Sequence, residues 1–194
     1  MRYEKGHKEE TRQRIVEIAA REFRRNGING IGVADVMAQA GLTHGGFYSH
    51  FASKEELVCA ALDEAGRTSR TRKAAEEGKS LEEILRGYLR SEHRDHPERG
   101  CAIACLVAEV GRGSKVARVH LTAHVNRVLE LIEARLPEGR ETAEERKKRA
   151  MAVFSTAIGS LQLSRAVTDP VLSDQLIEAG LRGALALARL QTKP

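Results

Sequence analysis

Two groups of residues carry side chains whose type and spacing could do chemistry. Cys101 and Cys105 stand one helical turn apart, just after His96, Arg99 and Gly100. A thiol at a helix N-terminus beside a cation shifts toward thiolate, the form that attacks electrophiles and is oxidised. Cys101, at the start of that turn, would feel both effects most. The competing reading packs both cysteines as small apolar groups in an Ala-rich helix, and Cys59 reads as structural. His120 and His124 repeat the one-turn spacing, which can share a metal, and His93 and His96 stand three apart. Nothing in the sequence gathers these histidines, and surface positions account for them equally, so no metal site and no cofactor is assigned. An enzyme with Cys101 as nucleophile and His96 as base would lack an oxyanion-type Gly loop, a third orienting group and a phosphate loop. The expectation is therefore a protein that is not an enzyme.

The elements that must position these residues are helical. Apolar residues recur with the 3.6 period nearly throughout the 194 residues, and no alternating strand emerges. The expected helices are Lys8–Asn26, Val33–Ala40, His44–His50, Ser53–Arg72, Leu81–His93, Cys101–Val110, Lys115–Leu136, Thr142–Val167 and Ser173–Leu190. Ile15, Ile18, Ala19 and Phe23 form the apolar stripe of the first, and Gly27 ends it. Ser53 with Glu56, and Ser80 with Glu83, have the capping-box spacing. The fold class is thus all-α, with about nine helices.

Bulk composition narrows the partners. The 41% apolar and 30% charged residues allow a buried core and argue against disorder. A net charge of +5 suits a polyanion, although a solvated basic surface explains it as well. No apolar run is long enough for a bilayer, so no membrane partner is expected. The polar N-terminus and three cysteines without disulfide spacing point to the cytoplasm.

Two short helices joined by Gly41, Leu42 and Thr43 form a helix-turn-helix candidate, the shape that presents a second helix to the DNA major groove. The string from Val33 to Leu57 is more specific. Ala40-Gly41, Tyr48, Phe51 and Ser53-Lys54-Glu55-Glu56-Leu57, with Ala19, Phe23 and Gly27 upstream, closely resemble the DNA-binding signature of the tetracycline-repressor (TetR) family. The resemblance covers roughly the first quarter to third of the chain. It implies a three-helix DNA-binding head over residues 1–52 and a ligand-binding and dimerisation bundle over residues 53–194.

The resemblance also implies roles. Thr43, His44 and Gly45 fall at the start of the recognition helix, where base edges and phosphates are met. Tyr48 and Lys54 match residues that contact backbone phosphate, and His50 completes the expected DNA-binding set. Phe47 and Phe51 read as core. Gly32 replaces the more usual Ser or Thr cap, at a cost of a few tenths of a kcal/mol. Gly45 and Gly46 are poor helix formers, each costing up to ~1 kcal/mol against Ala. Either bare backbone lets this helix sit deep in the groove, or its neighbours simply hold it.

In the remainder, Leu176, Ile177, Gly180, Leu181, Ala184, Leu185 and Ala188 form one apolar face with small residues at one-turn spacing. That face suits a homodimer built as a four-helix bundle, or packing within its own subunit. Two-fold symmetry would make the double-stranded DNA operator palindromic. Leu89, Leu106, Val125 and Phe154, with Leu85, Leu129 and Ile158, are candidate walls of an effector pocket and equally candidates for plain core. The expected function is a homodimeric, ligand-responsive repressor released by a small-molecule effector; the alternatives are a thiol-based redox or electrophile sensor using Cys101, with Cys105 as a further candidate sensor residue, and the cysteine-dependent helical enzyme weighed above.

Overall fold

The computed structural model describes residues 2–189, with side chains from residue 6 onward. Every regular element among the described residues is helical. Among the described residues there are ten α-helices and two short 3₁₀ helices. The last expected residue of the final helix, Leu190, lies outside the described residues. No described helix is long and apolar enough to cross a membrane.

The helices gather into two compact units, Met1–Thr68 with Pro97–His124, and Ser69–His96 with Val125–Pro194. The helix that begins after Ser53 belongs with the first unit, because its buried Leu57, Val58 and Leu62 serve that core.

In the first unit, α1 (Arg2–Asn26), α2 (Val33–Gln39), a 3₁₀ helix (His44–Ser49) and α3 (Lys54–Arg67) surround a closed apolar centre. Ile15, Ala19, Phe23, Val36, Met37, Phe47, Phe51 and Leu57 are all buried there. Phe47 and Phe51 stack with ring centroids 5.6 Å apart, and the Arg12 guanidinium lies 4.6 Å over the Phe51 ring. Ser53 caps α3 by accepting from the Glu56 N–H at 3.1 Å. The expected reciprocal bond is redirected: the Glu56 carboxylate accepts from the Ala52 N–H at 2.7 Å and pairs with Arg12.

Two expected long helices are broken. The one from Ser53 stops at Arg67, and α4 (Arg70–Glu76) begins anew. The Thr68 hydroxyl donates to the Glu64 carbonyl at 2.8 Å, while Ser69 caps α4 by accepting from the Arg72 N–H at 3.2 Å. Helix interior and helix cap compete for such residues, and here the caps win. The other divides into α5 (Leu81–Tyr88) and α6 (Ser91–Asp95). The Arg165 guanidinium donates to the His93 and Arg94 carbonyls, and buried His93 donates through Nδ1 to the Tyr88 carbonyl at 2.7 Å. These bonds satisfy backbone groups that a continuous helix would have used itself.

The second unit is dominated by α9 (Ala143–Ala166) and α10 (Pro170–Ala188). A capping box of Thr142 and Glu145 starts α9; Asp169 caps α10, with Pro170 in the first turn where no N–H is needed. The helices approach so closely that a Cβ on Gly180 would lie 2.2 Å from the Ser160 hydroxyl. Helix α7 (Ala102–Arg112) lies in the first unit, and α8 (Lys115–Glu133) runs from one unit into the other.

Candidate nucleic-acid interface

The exposed segment of the first unit is built by a turn and a weak helix. Gly41, at φ +72°, allows the chain to reverse after α2, and the Leu42 N–H returns to the Met37 carbonyl at 2.9 Å. Thr43 precedes the 3₁₀ helix, whose first bond runs from the Gly46 N–H to the Thr43 carbonyl at 3.1 Å. Two consecutive glycines favour no α-helix, so a short i to i+3 arrangement, anchored at Phe47, is what remains.

That anchor sorts the side chains. Phe47 is buried, whereas Tyr48 is 69% exposed and Thr43, His44, Gly45 and Ser49 are also exposed. The His44 and Tyr48 rings meet edge to face at 6.3 Å. A Cβ on Gly45 would meet nothing within 4 Å, and one on Gly46 would make ordinary contacts with Met37 and Thr43. Neither glycine is required by crowding within the chain, so bare backbone is presented outward.

His50 and Lys54 are placed differently from Tyr48. His50 is half-buried at the C-terminal end of the 3₁₀ helix, and its Nδ1 has no hydrogen-bond partner among the described residues. Burial, then the charges of Lys8 and Arg12, push its pKa down. The Lys54 ammonium donates to the Ile28 carbonyl at 2.6 Å and the Ile31 carbonyl at 2.8 Å. An ammonium has three protons, so one remains for a phosphate while two fasten the turn between α1 and α2. Sequence reasoning also missed Glu109, whose carboxylate accepts from the N–H groups of that same turn, 81 positions away in the chain.

Cys101 is the N-cap of α7 and Cys105 points its sulfur at the Pro97 carbonyl, 3.7 Å away; both are half-buried. Arg24 donates to the Glu98 carbonyl at 2.9 and 2.7 Å. Its own burial lowers the Arg24 pKa, and the sulfurs of Cys105 and Cys101, with Glu64 and Glu98, oppose that shift. The structure thus gathers both cysteines and a guanidinium. Cys59 is buried, which pushes its thiol pKa up. The histidines are dispersed: His120 holds Asp63 at 2.9 Å, and no three His, Cys, Asp or Glu among the described residues gather as metal ligands.

Leu106 falls in the first unit and Leu89, Val125 and Phe154 in the second. Leu89, Leu106 and Phe154 are buried and Val125 half-buried. On α10, Gly180, Ala184 and Ala188 are buried within the chain, while Leu176, Ile177, Leu181 and Leu185 are half-buried.

A compact trihelical core with a short projecting helix, one exposed tyrosine and a lysine at the next helix start defines a helix-turn-helix DNA-binding protein. Residues 15–61 match the family described as bacterial regulatory proteins, tetR family. The chain is 41% identical over 68 residues to the HTH-type transcriptional regulator TtgR of Pseudomonas putida, covering 35% of this chain and 32% of that relative. The match therefore spans about a third of TtgR's length. It is 29% identical over 139 residues to the HTH-type transcriptional repressor DhaR of a Mycobacterium species, covering 70% of each. Among solved structures, a TetR transcriptional regulator from Chloroflexus aurantiacus superposes with a TM-score of 0.71 at 26% identity, over 97% of this chain and 95% of that one. E. coli NemR in its reduced form shares the fold, with a TM-score of 0.74 at 20% identity over 95% and 98% of the two chains. Residues 15–61 thus carry the DNA-binding region described for the tetR family, and the chain is similar over most of its length to a TetR transcriptional regulator of known structure.

Proposed function

We propose that this chain is a homodimeric repressor that binds a palindromic operator and leaves it when a small effector binds. The observation that carries the reading is the sorting of the 3₁₀ helix, Phe47 inward and Thr43, His44, Gly45 and Tyr48 outward. Hydroxyls and an imidazole on bare backbone suit phosphate and base-edge contacts. A second copy is supported by large apolar side chains left exposed on α9 and α10, Leu163 at 56% and Val171 at 63%. An effector would act by binding one arrangement of the recognition helices better than another, which shifts the population.

The test is a mobility-shift titration on the DNA upstream of the protein's own gene, followed, if that fails, by selection from random-sequence duplexes. Specific binding to a two-fold symmetric site supports the reading. Failure of both sinks it.

A second reading, a thiol-responsive repressor, is favoured by Cys101 at a helix N-terminus with Arg24 and Cys105 nearby. A structural neighbour, NemR, is known in a reduced form. An activated alkene would form a carbon–sulfur bond at Cys101, the thiol proton passing to the adjacent carbon. Loss of DNA binding on such treatment, absent in Cys101→Ser, would support it. Loss that persists in Cys101→Ser would exclude that residue.

A further inference from the structure

We infer that Glu109, on α7, is a positioning residue for DNA recognition: it holds the turn that sets α2 and, through α2, the 3₁₀ helix. The inference rests on the DNA-binding reading above. Helix α1 ends at Gly27, whose φ of +80° returns its N–H to the Phe23 carbonyl at 2.9 Å. The next two N–H groups have no helical partner and must find one. Ile28 and Asn29 both donate to Glu109 Oε2, at 2.9 and 3.2 Å. From α3, Lys54 takes the Ile28 and Ile31 carbonyls of the same turn. A carboxylate thus grips the donors of one short turn while an ammonium grips its acceptors.

Crowding fixes the arrangement further. A Cβ on Gly27 would lie 2.5 Å from Glu109 Oε1, and one on Gly30 would lie 2.0 Å from the Asn26 carbonyl. The turn leads directly into Gly32, the N-cap of α2. Met37 of α2 accepts from Leu42 at the start of the reading segment, and its methyl lies near Gly46. Arg24 ties α1 to the Glu98 carbonyl just ahead of α7, so α7 is fastened to the head at both of its ends. A shift of α7 would reach the turn through Glu109.

The experiment uses a duplex selected by the wild-type full chain from a random library, and a scrambled duplex of equal length. Glu109→Ala should weaken the selected duplex roughly tenfold or more, because a charged hydrogen-bond acceptor is lost and the competent turn is less populated. Glu109→Gln, which keeps an acceptor, should fall between. Binding to the scrambled duplex, governed by phosphate charge, should stay within about twofold. Amide exchange at Ile28 and Asn29 should quicken in Glu109→Ala with the middle of α1 unchanged. Wild-type affinity in Glu109→Ala overturns the inference, as does an equal loss on both duplexes in step with lost folded protein. If Glu109→Ala does not fold, Glu109→Gln against wild type decides. A wild-type protein that selects no sequence sinks the DNA-binding reading itself, and the inference with it.

Discussion

Gly180→Ala and Gly183→Ala make the same chemical change in one helix, and their surroundings give them opposite signs. Each gains roughly 1 kcal/mol of helix propensity. At Gly183 the new Cβ meets the Thr156 methyl at 3.4 Å, an ordinary contact. At Gly180 it would lie 2.2 Å from the Ser160 Oγ and 2.3 Å from its Cβ. Rotating the serine moves Oγ but cannot move Cβ, which the backbone fixes, so α9 and α10 must part by most of an ångström. Overpacking costs typically about 1–3 kcal/mol, and parting two tightly packed helices belongs at the upper end. Gly183→Ala should therefore stabilise by up to ~1 kcal/mol and Gly180→Ala destabilise by ~1–2 kcal/mol. The thermal midpoint should move by roughly 2–4 °C per kcal/mol in a chain of this size. Urea unfolding at one fixed protein concentration separates the effect from any change in assembly. Adding Ser160→Gly to Gly180→Ala removes the obstructing Cβ and should leave the double variant more stable than the two single losses predict. If Gly180→Ala proves as stabilising as Gly183→Ala, or Ser160→Gly shows no coupling to it, the close approach of the two helices is wrong.

Three further outcomes are expected. Tyr48→Phe should leave urea unfolding unchanged within about 0.5 kcal/mol. It should weaken DNA binding roughly three- to tenfold on all related sites alike; in equilibrium titrations, a loss confined to one base change would instead assign Tyr48 to base reading. Lys54→Met should lower unfolding stability by about 1–3 kcal/mol, since the Ile28 and Ile31 carbonyls lose their donor. Unchanged stability would mean that Lys54 serves phosphate alone. His93 titrates from a pKa of about 4, lowered from 6.5 first by burial and then by Arg165, Arg70 and Arg90, against the raising bond to Tyr88. The unfolded chain then binds more protons than the folded one between these values. Stability is full above about pH 6.5 and is lost as pH falls toward about 4, by roughly 3 kcal/mol. His93→Gln should flatten that part of the stability profile, and an equally steep profile in the variant would place the proton uptake elsewhere.

What was legible in the sequence was local. Ser80 with Glu83 and the starts at Val33 and Lys115 follow from neighbours a turn away, and they stand where expected. The separation of buried Phe47 and Phe51 from exposed Tyr48 was also readable, because the family string fixes their register. The interruption at Leu89 was not, since it depends on Arg165 reaching carbonyls more than seventy positions away. Lys54 reads as a phosphate contact, but its carbonyl partners lie 26 and 23 positions earlier, and no spacing rule connects a side chain to a distant backbone. Glu109 was invisible for the same reason: its partners are two N–H groups, and every residue but proline has one.

The small residues of α10 show how a correct pattern leaves its destination open. Gly180, Ala184 and Ala188 mark a surface where another helix comes close, and smallness says nothing about which helix. Gly180 uses that closeness on Ser160 within the chain. A second copy of the chain would then have to cover what this strip does not use. Half-buried Leu176, Leu181 and Leu185 border the strip, and exposed Val171, Leu172 and Leu187 lie beyond it on the same helix. Two readings offered as rivals for one face therefore divide it: packing within the subunit takes the small residues, and the proposed dimer takes the large ones beside them. On that division, Leu181→Glu should abolish assembly, because it buries a charge in the proposed interface. It should leave the α9–α10 contact intact within each chain. Sedimentation would report the monomer, and a dimer that survives would return the leucines to the subunit's own core.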